Sequence, residues 1–133
     1  MDFFSDFTEL NRLGVETNTN KASSWRNPSG DMVEAEGLLR RYDFFLSRLR
    51  EQGSTRVLEL GAGPNNDLGA SLRMWRRYFP EFTEIHVAEF NPAAEALRQE
   101  GFHPHIGDLG NPAFLNRLAS EKWDFVLDDA THL

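Results

Sequence analysis

Arg56-Val57-Leu58-Glu59-Leu60-Gly61-Ala62-Gly63 decides how this chain is read. A short, mostly apolar run carrying one acid leads straight into a glycine-rich turn. Glycine has no Cβ, so the backbone can turn tightly there and a ligand can approach the main chain. A glycine turn between a strand and a helix is how α/β proteins hold a nucleotide-like cofactor. Alone the pattern is weak. Its weight comes from the strands and helices on its C-terminal side.

Downstream, strand and helix patterns alternate. Strand one spans Arg56 to Leu60. A helix is predicted from about Leu68 to Phe79, with Leu68, Leu72, Trp75 and Phe79 on one face and Pro80 ending it. Strand two is Glu84 to Phe90. Pro92 sits at a first helical position, and a helix over Ala93 to Glu100 stops at Gly101. A short strand, Phe102 to Ile106, comes next. Asn111 and Pro112 open a helix to about Ala119, and a fourth strand runs from Trp123 to Leu127. Such alternation with short connections means a parallel sheet with right-handed crossovers. The expected fold is α/β, a Rossmann-like parallel sheet of about four strands.

Residues 1–53 read as an N-terminal helical segment, and 54–133 as the partial cofactor-binding domain. Phe3, Phe4, Phe7 and Leu10 recur at helical spacing in Met1 to Leu13. Gly14 to Gly30 is rich in Asn, Thr, Ser, Gly and Pro and reads as a loop. Asp31 followed by Glu34 resembles a capping box. Leu38, Leu39, Tyr42, Phe45, Leu46 and Leu49 then mark an amphipathic helix to Arg50, with Gly53 as its C-cap. The plain reading of that helix is packing against the sheet. The functional one is a lid over a cofactor, since a long loop precedes it.

Composition narrows the class. At 133 residues the chain is one domain by length. Its net charge of −7 argues against a nucleic-acid partner, because phosphate contacts need a basic surface. The local arginine runs, such as Arg73, Arg76 and Arg77, read as solvated helix faces. No apolar run approaches the roughly 20 residues that cross a bilayer, so no membrane partner is expected. Met1 to Leu13 carries acids and no basic start, unlike a secretory signal. There is no cysteine, which removes disulfides and thiolate chemistry. A cytoplasmic location is expected.

Ligands of such sheets sit beyond the carboxyl ends of the strands. Each strand here places an acid near that edge: Glu59, Glu89, Asp108, and Asp128 with Asp129. Glu89 lies one β-α-β unit after the first strand, where an acid can accept from both hydroxyls of a ribose. Asp108 could accept from an adenine amino group. A dinucleotide would want Gly-x-Gly-x-x-Gly, so that a helix N-terminus cradles pyrophosphate. Gly61-Ala62-Gly63-Pro64-Asn65-Asn66 lacks the third glycine, and Pro64 removes an N–H. Glu59 would repel a pyrophosphate but suits a cationic methionine moiety. S-adenosylmethionine is therefore favoured over NAD. Asp128, Asp129 and His132 could hold magnesium while a neutral histidine takes a proton.

These segments together resemble class I S-adenosylmethionine-dependent methyltransferases. Val57 to Gly63 is similar to their first motif. Gly69-Ala70-Ser71-Leu72-Arg73-Met74-Trp75 with Tyr78-Phe79-Pro80 resembles the next helix of macrolide-sugar O-methyltransferases of the mycinamicin type. Gly107-Asp108-Leu109-Gly110-Asn111-Pro112-Ala113-Phe114-Leu115 and Asp128-Asp129-Ala130-Thr131-His132 resemble two further segments of that family. Thr19-Asn20-Lys21 is weakly similar to its Thr-Asp-Lys near the N-terminus. The likeness covers roughly residues 17–133. It implies a cofactor set of Glu59, Gly61, Ala62, Gly63, Glu89, Phe90, Asp108 and Asp128. It implies Asp129 as a magnesium ligand, His132 as general base on a sugar hydroxyl, and a sugar-like small-molecule acceptor.

Strand two ends in Glu89 where that family more often has Asp, and Ala130-Thr131 stands for Gly-Ser. A full fold of this class has seven strands, and this sequence supplies four. Three readings are open: a sugar O-methyltransferase or its N-terminal part, a non-catalytic S-adenosylmethionine-binding module that pairs with another chain, and an NAD-dependent enzyme. The resemblance implies the strand order 3-2-1-4 for a sheet truncated to these four, in which strand four would be an apolar edge, open to a second copy or a partner chain.

Overall fold

A computed structural model of the chain describes residues 8–35, 37–53, 56–63 and 67–130. The aromatic run before residue 8, the turn at residues 64–66 and His132 lie outside the described residues. Eleven elements succeed one another among them. They are α1 (Glu9–Glu16), β1 (Ser24–Arg26), β2 (Met32–Glu34), α2 (Leu39–Gln52), β3 (Arg56–Leu60), α3 (Ala70–Tyr78), β4 (Glu84–Glu89), a 3-10 helix (Pro92–Glu100), β5 (His103–Ile106), α4 (Pro112–Ala119) and β6 (Phe125–Asp128).

The four-stranded sheet has the order β5-β4-β3-β6, all parallel. This is the expected 3-2-1-4. Along β3, side chains alternate between the two faces. Val57 joins the larger core with Leu72, Met74 and Trp75 of α3 and Ile85 and Val87 of β4. Leu58 and Leu60 face the other way, against Phe114 and Leu118 of α4 and Ala88 of β4. Trp75, fully buried, packs its ring on Phe79 and edge-on to Phe125 of β6. One helix thus reaches across the sheet to its last strand.

Three sequence expectations change. No capping box forms at Asp31. Met32–Glu34 is a strand paired antiparallel with Ser24–Arg26, and Asn27 to Gly30 is the hairpin turn between them. The Asn27 N–H donates to Asp31 O (2.9 Å) and the Gly30 N–H to Asn27 O (2.9 Å). Proline in the second position and glycine in the fourth are the residues such a turn favours. The helix therefore starts only at Leu39, with Leu38 before it and no side-chain cap. The second change is α1, which runs to Glu16 and shortens the expected loop. The third is the Pro92–Glu100 segment, which winds as a 3-10 helix. The caps at Gly53, Gly101 and Asn111 are as expected, and Asn91 caps the 3-10 helix ahead of Pro92.

The N-terminal segment shares the main core. Leu10, Leu13, Leu39 and Leu46 belong to the same buried cluster as Val57 and Trp75. Asp43 of α2 ties three helices together. It accepts from the Leu10 N–H (3.1 Å) and from the Tyr78 hydroxyl (2.6 Å). Burial, then the bond to Asp43, pushes the Tyr78 phenol far above its usual range. No described helix is long and apolar enough to cross a membrane.

The crossing of α1 over α2 depends on Gly14. A Cβ there would lie 2.2 Å from Leu39 Cδ1 and 3.1 Å from Ala22 Cβ, both of them buried. Alanine in a helix interior normally gains up to about 1 kcal/mol over glycine. Overpacking a filled site costs about 1–3 kcal/mol. Gly14→Ala is expected to destabilise the chain in urea melts. Adding Leu39→Ala should cost less than the sum of the two single changes. Additive losses would show that the crossing is loose.

Candidate functional site

The carboxyl ends of the four strands are laced by main-chain hydrogen bonds. The Gly61 N–H donates to Ala88 O (2.8 Å), Asp129 N–H to Leu60 O (2.9 Å) and Gly107 N–H to Glu89 O (3.0 Å). Gly61 and Gly63 have φ of +92° and +99°, the left-handed region that glycine enters without cost. At Gly61 space also decides. A Cβ would stand 3.0 Å from the Asp129 carbonyl oxygen, where β6 leaves the sheet over the turn.

Two of the predicted acids meet through a third residue. Glu59 shares the face of Val57 and is 1% exposed; its Oε1 lies 2.8 Å from Lys21 Nζ. The same ammonium is 2.8 Å from Asp129 Oδ2 and donates to Ser71 Oγ (2.7 Å). Ser71 Oγ also lies 2.8 Å from the Thr19 hydroxyl. Lys21, 5% exposed, thus links the loop after α1 to β3, α3 and the end of β6. Burial works against the lysine charge, but Glu59 and Asp129 outweigh it and hold its pKa above the ordinary value. Burial pushes the Glu59 carboxyl up, against the pull of Lys21. The buried indole N–H of Trp75 faces this carboxylate without closing a regular hydrogen bond.

The other predicted residues lie along the same edge. Glu89 Oε2 accepts from the Ala62 N–H (3.3 Å), so this acid already touches the glycine turn. Phe90 beside it is 73% exposed. Asp108 is exposed and folds back to accept from the Gly110 N–H (2.8 Å). Asp128 Oδ1 accepts from the Ala130 N–H (3.2 Å). Glu59, Asp129, Glu89 and Ala62 are gathered around the turn, whereas Asp108 stands at the next strand with local contacts. The sequence reading missed the roles of Thr19, Lys21 and Ser71. Their signals were the Thr-Asn-Lys similarity and a serine on the apolar side of α3.

A small cavity separates the loop from the glycine turn, lined by Asn18, Thr19, Trp25, Gly63, Asp67 and Ser71. Asn18 holds this loop in place with a left-handed φ of +62°, a conformation asparagine tolerates. Its amide donates to Arg26 O (2.9 Å).

No family model matches the chain. Similarity to individual proteins is specific. Over 97 residues, 69% of the chain, it is 36% identical to L-olivosyl-oleandolide 3-O-methyltransferase of Streptomyces antibioticus. Over the same length it is 39% identical to 8-demethyl-8-(2-methoxy-alpha-L-rhamnosyl)-tetracenomycin-C 3'-O-methyltransferase of Streptomyces olivaceus. The backbone superposes on MycE methyltransferase from the mycinamycin biosynthetic pathway, solved with Mg and SAH, with a TM-score of 0.73 and 26% identity over 94% of this chain. The chain resembles class I S-adenosylmethionine-dependent methyltransferases of the macrolide-sugar type. It spans about a quarter of the curated relatives' length (24%) and 32% of the MycE chain.

Removing one partner of a buried ion pair costs about 3–5 kcal/mol, because the other charge stays unpaired. Lys21→Met is expected to lose that much in urea melts at neutral pH, and Lys21→Met with Glu59→Gln markedly less. The sign in pH comes from the raised lysine pKa. The stabilisation is complete below the unfolded value of about 10.4 and fades as pH rises through the folded one. On the alkaline side the gap between wild type and Lys21→Met should therefore narrow above about pH 10. A constant gap into strong alkali would break the charge argument.

Proposed function

We propose that the chain is the cofactor-binding part of an S-adenosylmethionine-dependent sugar O-methyltransferase. The observation that carries this is the arrangement of acids around the glycine turn. Glu89 takes the Ala62 N–H of the turn, and Glu59, two residues before Gly61, is buried against Lys21. A pyrophosphate would need that amide and would meet the Glu89 carboxylate on it, which disfavours the NAD reading. A sulfonium cofactor carries positive charge and a ribose, and suits the same edge.

Each residue then has a task. Gly61 and Gly63 let the cofactor come close to the main chain. Glu89 accepts from the ribose hydroxyls, Asp108 from the adenine amino group, and Ala62, Phe90 and Asp128 line the edge. His132 would take the proton of a sugar hydroxyl. S-adenosylmethionine supplies the electrophilic methyl group. The fit to magnesium is partial. Asp129 offers a carboxylate, but its Oδ2 is held by Lys21, and Asp128 Oδ1 serves the turn. Magnesium wants near-octahedral oxygen ligands, so the described residues supply only a fraction of such a site. The loop carrying Lys21 lines one small cavity with the glycine turn, and this placement supports reading the N-terminal segment as a fixed cover at that edge and not as a mobile lid.

Calorimetry with S-adenosylhomocysteine and with NAD tests this reading. The first is expected to bind and the second not. Glu89→Ala should weaken binding by about 1.5–3 kcal/mol, the value of hydrogen bonds to a charged group. That is roughly tenfold to hundredfold in Kd. Equal affinity in the variant would remove the ribose assignment.

A partner along β6 is part of the same reading. β6 pairs only with β3 among the described residues, and Val126 is 47% exposed on it. An open apolar edge invites pairing. The 133-residue chain is expected to sediment as a dimer at micromolar concentration. A sharp monomer would leave this edge without an occupant.

A further inference from the structure

Alternation along β4 sets Glu84, His86 and Ala88 on one face, the side covered by α4. In parallel register His103 of β5 stands opposite His86, and His105 opposite Ala88. Three imidazoles and a carboxylate thus converge at the start of these two strands. This is the end of the sheet away from the glycine turn. His86 is buried. Its ring stacks on His103 at 4.5 Å and on His105 at 5.2 Å, and the Trp123 ring meets it edge-on at 4.9 Å. Valine or isoleucine would fill a sheet face like this at less polar cost.

The donor atoms are already close. His86 Nε2 is 3.1 Å from Glu84 Oε1, and its Nδ1 is 2.9 Å from His105 Nε2. One ligand atom each from Glu84, His86 and His103 lies within 4.8 Å of the others. Zinc bonds of about 2.0–2.2 Å in a tetrahedron place neighbouring ligand atoms about 3.3 Å apart. The His86–Glu84 pair meets that spacing, and His103 would complete the set by rotating out of its stack on His86. His105 then holds the far nitrogen of His86, as an outer partner does for a metal-bound histidine. Arg56 does not lock Glu84. Its Nε is 3.9 Å away, while its Nη2 is bound to Glu121 at 2.7 Å and its guanidinium covers Trp123. Beside the cluster, on its His105 side, lies a cleft lined by His105, Phe114, Arg117 and Glu121.

We propose that Glu84, His86 and His103 form a binding site for a divalent transition metal of the zinc type, separate from the cofactor edge. Imidazole nitrogens with one carboxylate select zinc, cobalt or nickel over magnesium. Three protein ligands leave one position for water.

Titration of the untagged, metal-stripped chain with zinc chloride tests this. One equivalent is expected to bind and to raise the melting temperature, with magnesium chloride doing neither. Cobalt(II) should give the intense visible bands of a four-coordinate ion. Glu84→Gln and His103→Gln should each weaken zinc by at least about tenfold, as loss of even an outer partner does. Should His103→Gln fail to fold, Glu84→Gln decides, since its position is exposed. The proposal falls if zinc does not bind stoichiometrically or binds Glu84→Gln as tightly as wild type. It also falls if Asp129→Asn, and not these variants, loses the metal.

Discussion

The ammonium of Lys21 beneath the glycine turn is the constraint on which the binding edge depends. Glu59 occupies a core position of β3, between Val57 and Gly61, with α3 lying over it. A carboxylate there is tolerable only with a cation at hydrogen-bond distance, because an isolated buried charge costs far more than any neighbouring contact returns. Nothing in β3 or α3 supplies that cation. It comes from residue 21, on a loop that α1 and the β1–β2 hairpin carry. The net gain from such a pair is small, but the penalty for half of it is large. The pair therefore acts less as glue than as a condition: the sheet edge and the N-terminal segment are right together or not at all.

This condition explains several local choices around it. Ser71 on the buried side of α3 is a poor helix residue, but it accepts from Lys21 and meets Thr19. Gly14 lets α1 sit close enough on α2 to bring the loop down. Asn18 turns the chain through a left-handed conformation that most residues avoid. Asp43 fixes α1 and α3 to α2 from the other end. Ser71 and Gly14 are polar or small residues inside the core, Asn18 and Asp43 sit at its margin, and together they hold the segment that carries Lys21.

The sequence showed the sheet well and the ion pair hardly at all. Parallel strands and their crossover helices are periodic, and their caps are local: Asn91 with Pro92, Asn111 with Pro112, and the glycines at 53 and 101 each act within a few residues. The order of strands followed from the methyltransferase resemblance, while the handedness rule supplied only the right-handed crossovers. The hairpin was missed because each strand has three residues, too few for period-2 alternation to stand out, and Asp31 with Glu34 imitated a helix start. Asn27-Pro28-Ser29-Gly30 was its available signal. Lys21 and Glu59 lie far apart along the chain, and no local pattern encodes a pairing at that distance. The histidines on β4 and β5 are likewise joined only by register.

The same ammonium limits what the edge can bind. Lys21 bridges Glu59 and Asp129, so the charge at Asp129 is already answered. A divalent cation placed on that carboxylate would stand a few ångströms from Lys21. At 4 Å and an effective dielectric of 20, like unit charges repel by about 4 kcal/mol, and a doubly charged ion about doubles that. Further carboxylates would have to offset this term, or Lys21 would have to withdraw toward Glu59 and leave Asp129. Withdrawal is the cheaper course, since the more buried half of the bridge survives it and only the exposed half, at a side chain 40% open to solvent, is given up. The asymmetry of the bridge makes Asp129 the arm that can be released and Glu59 the arm that cannot.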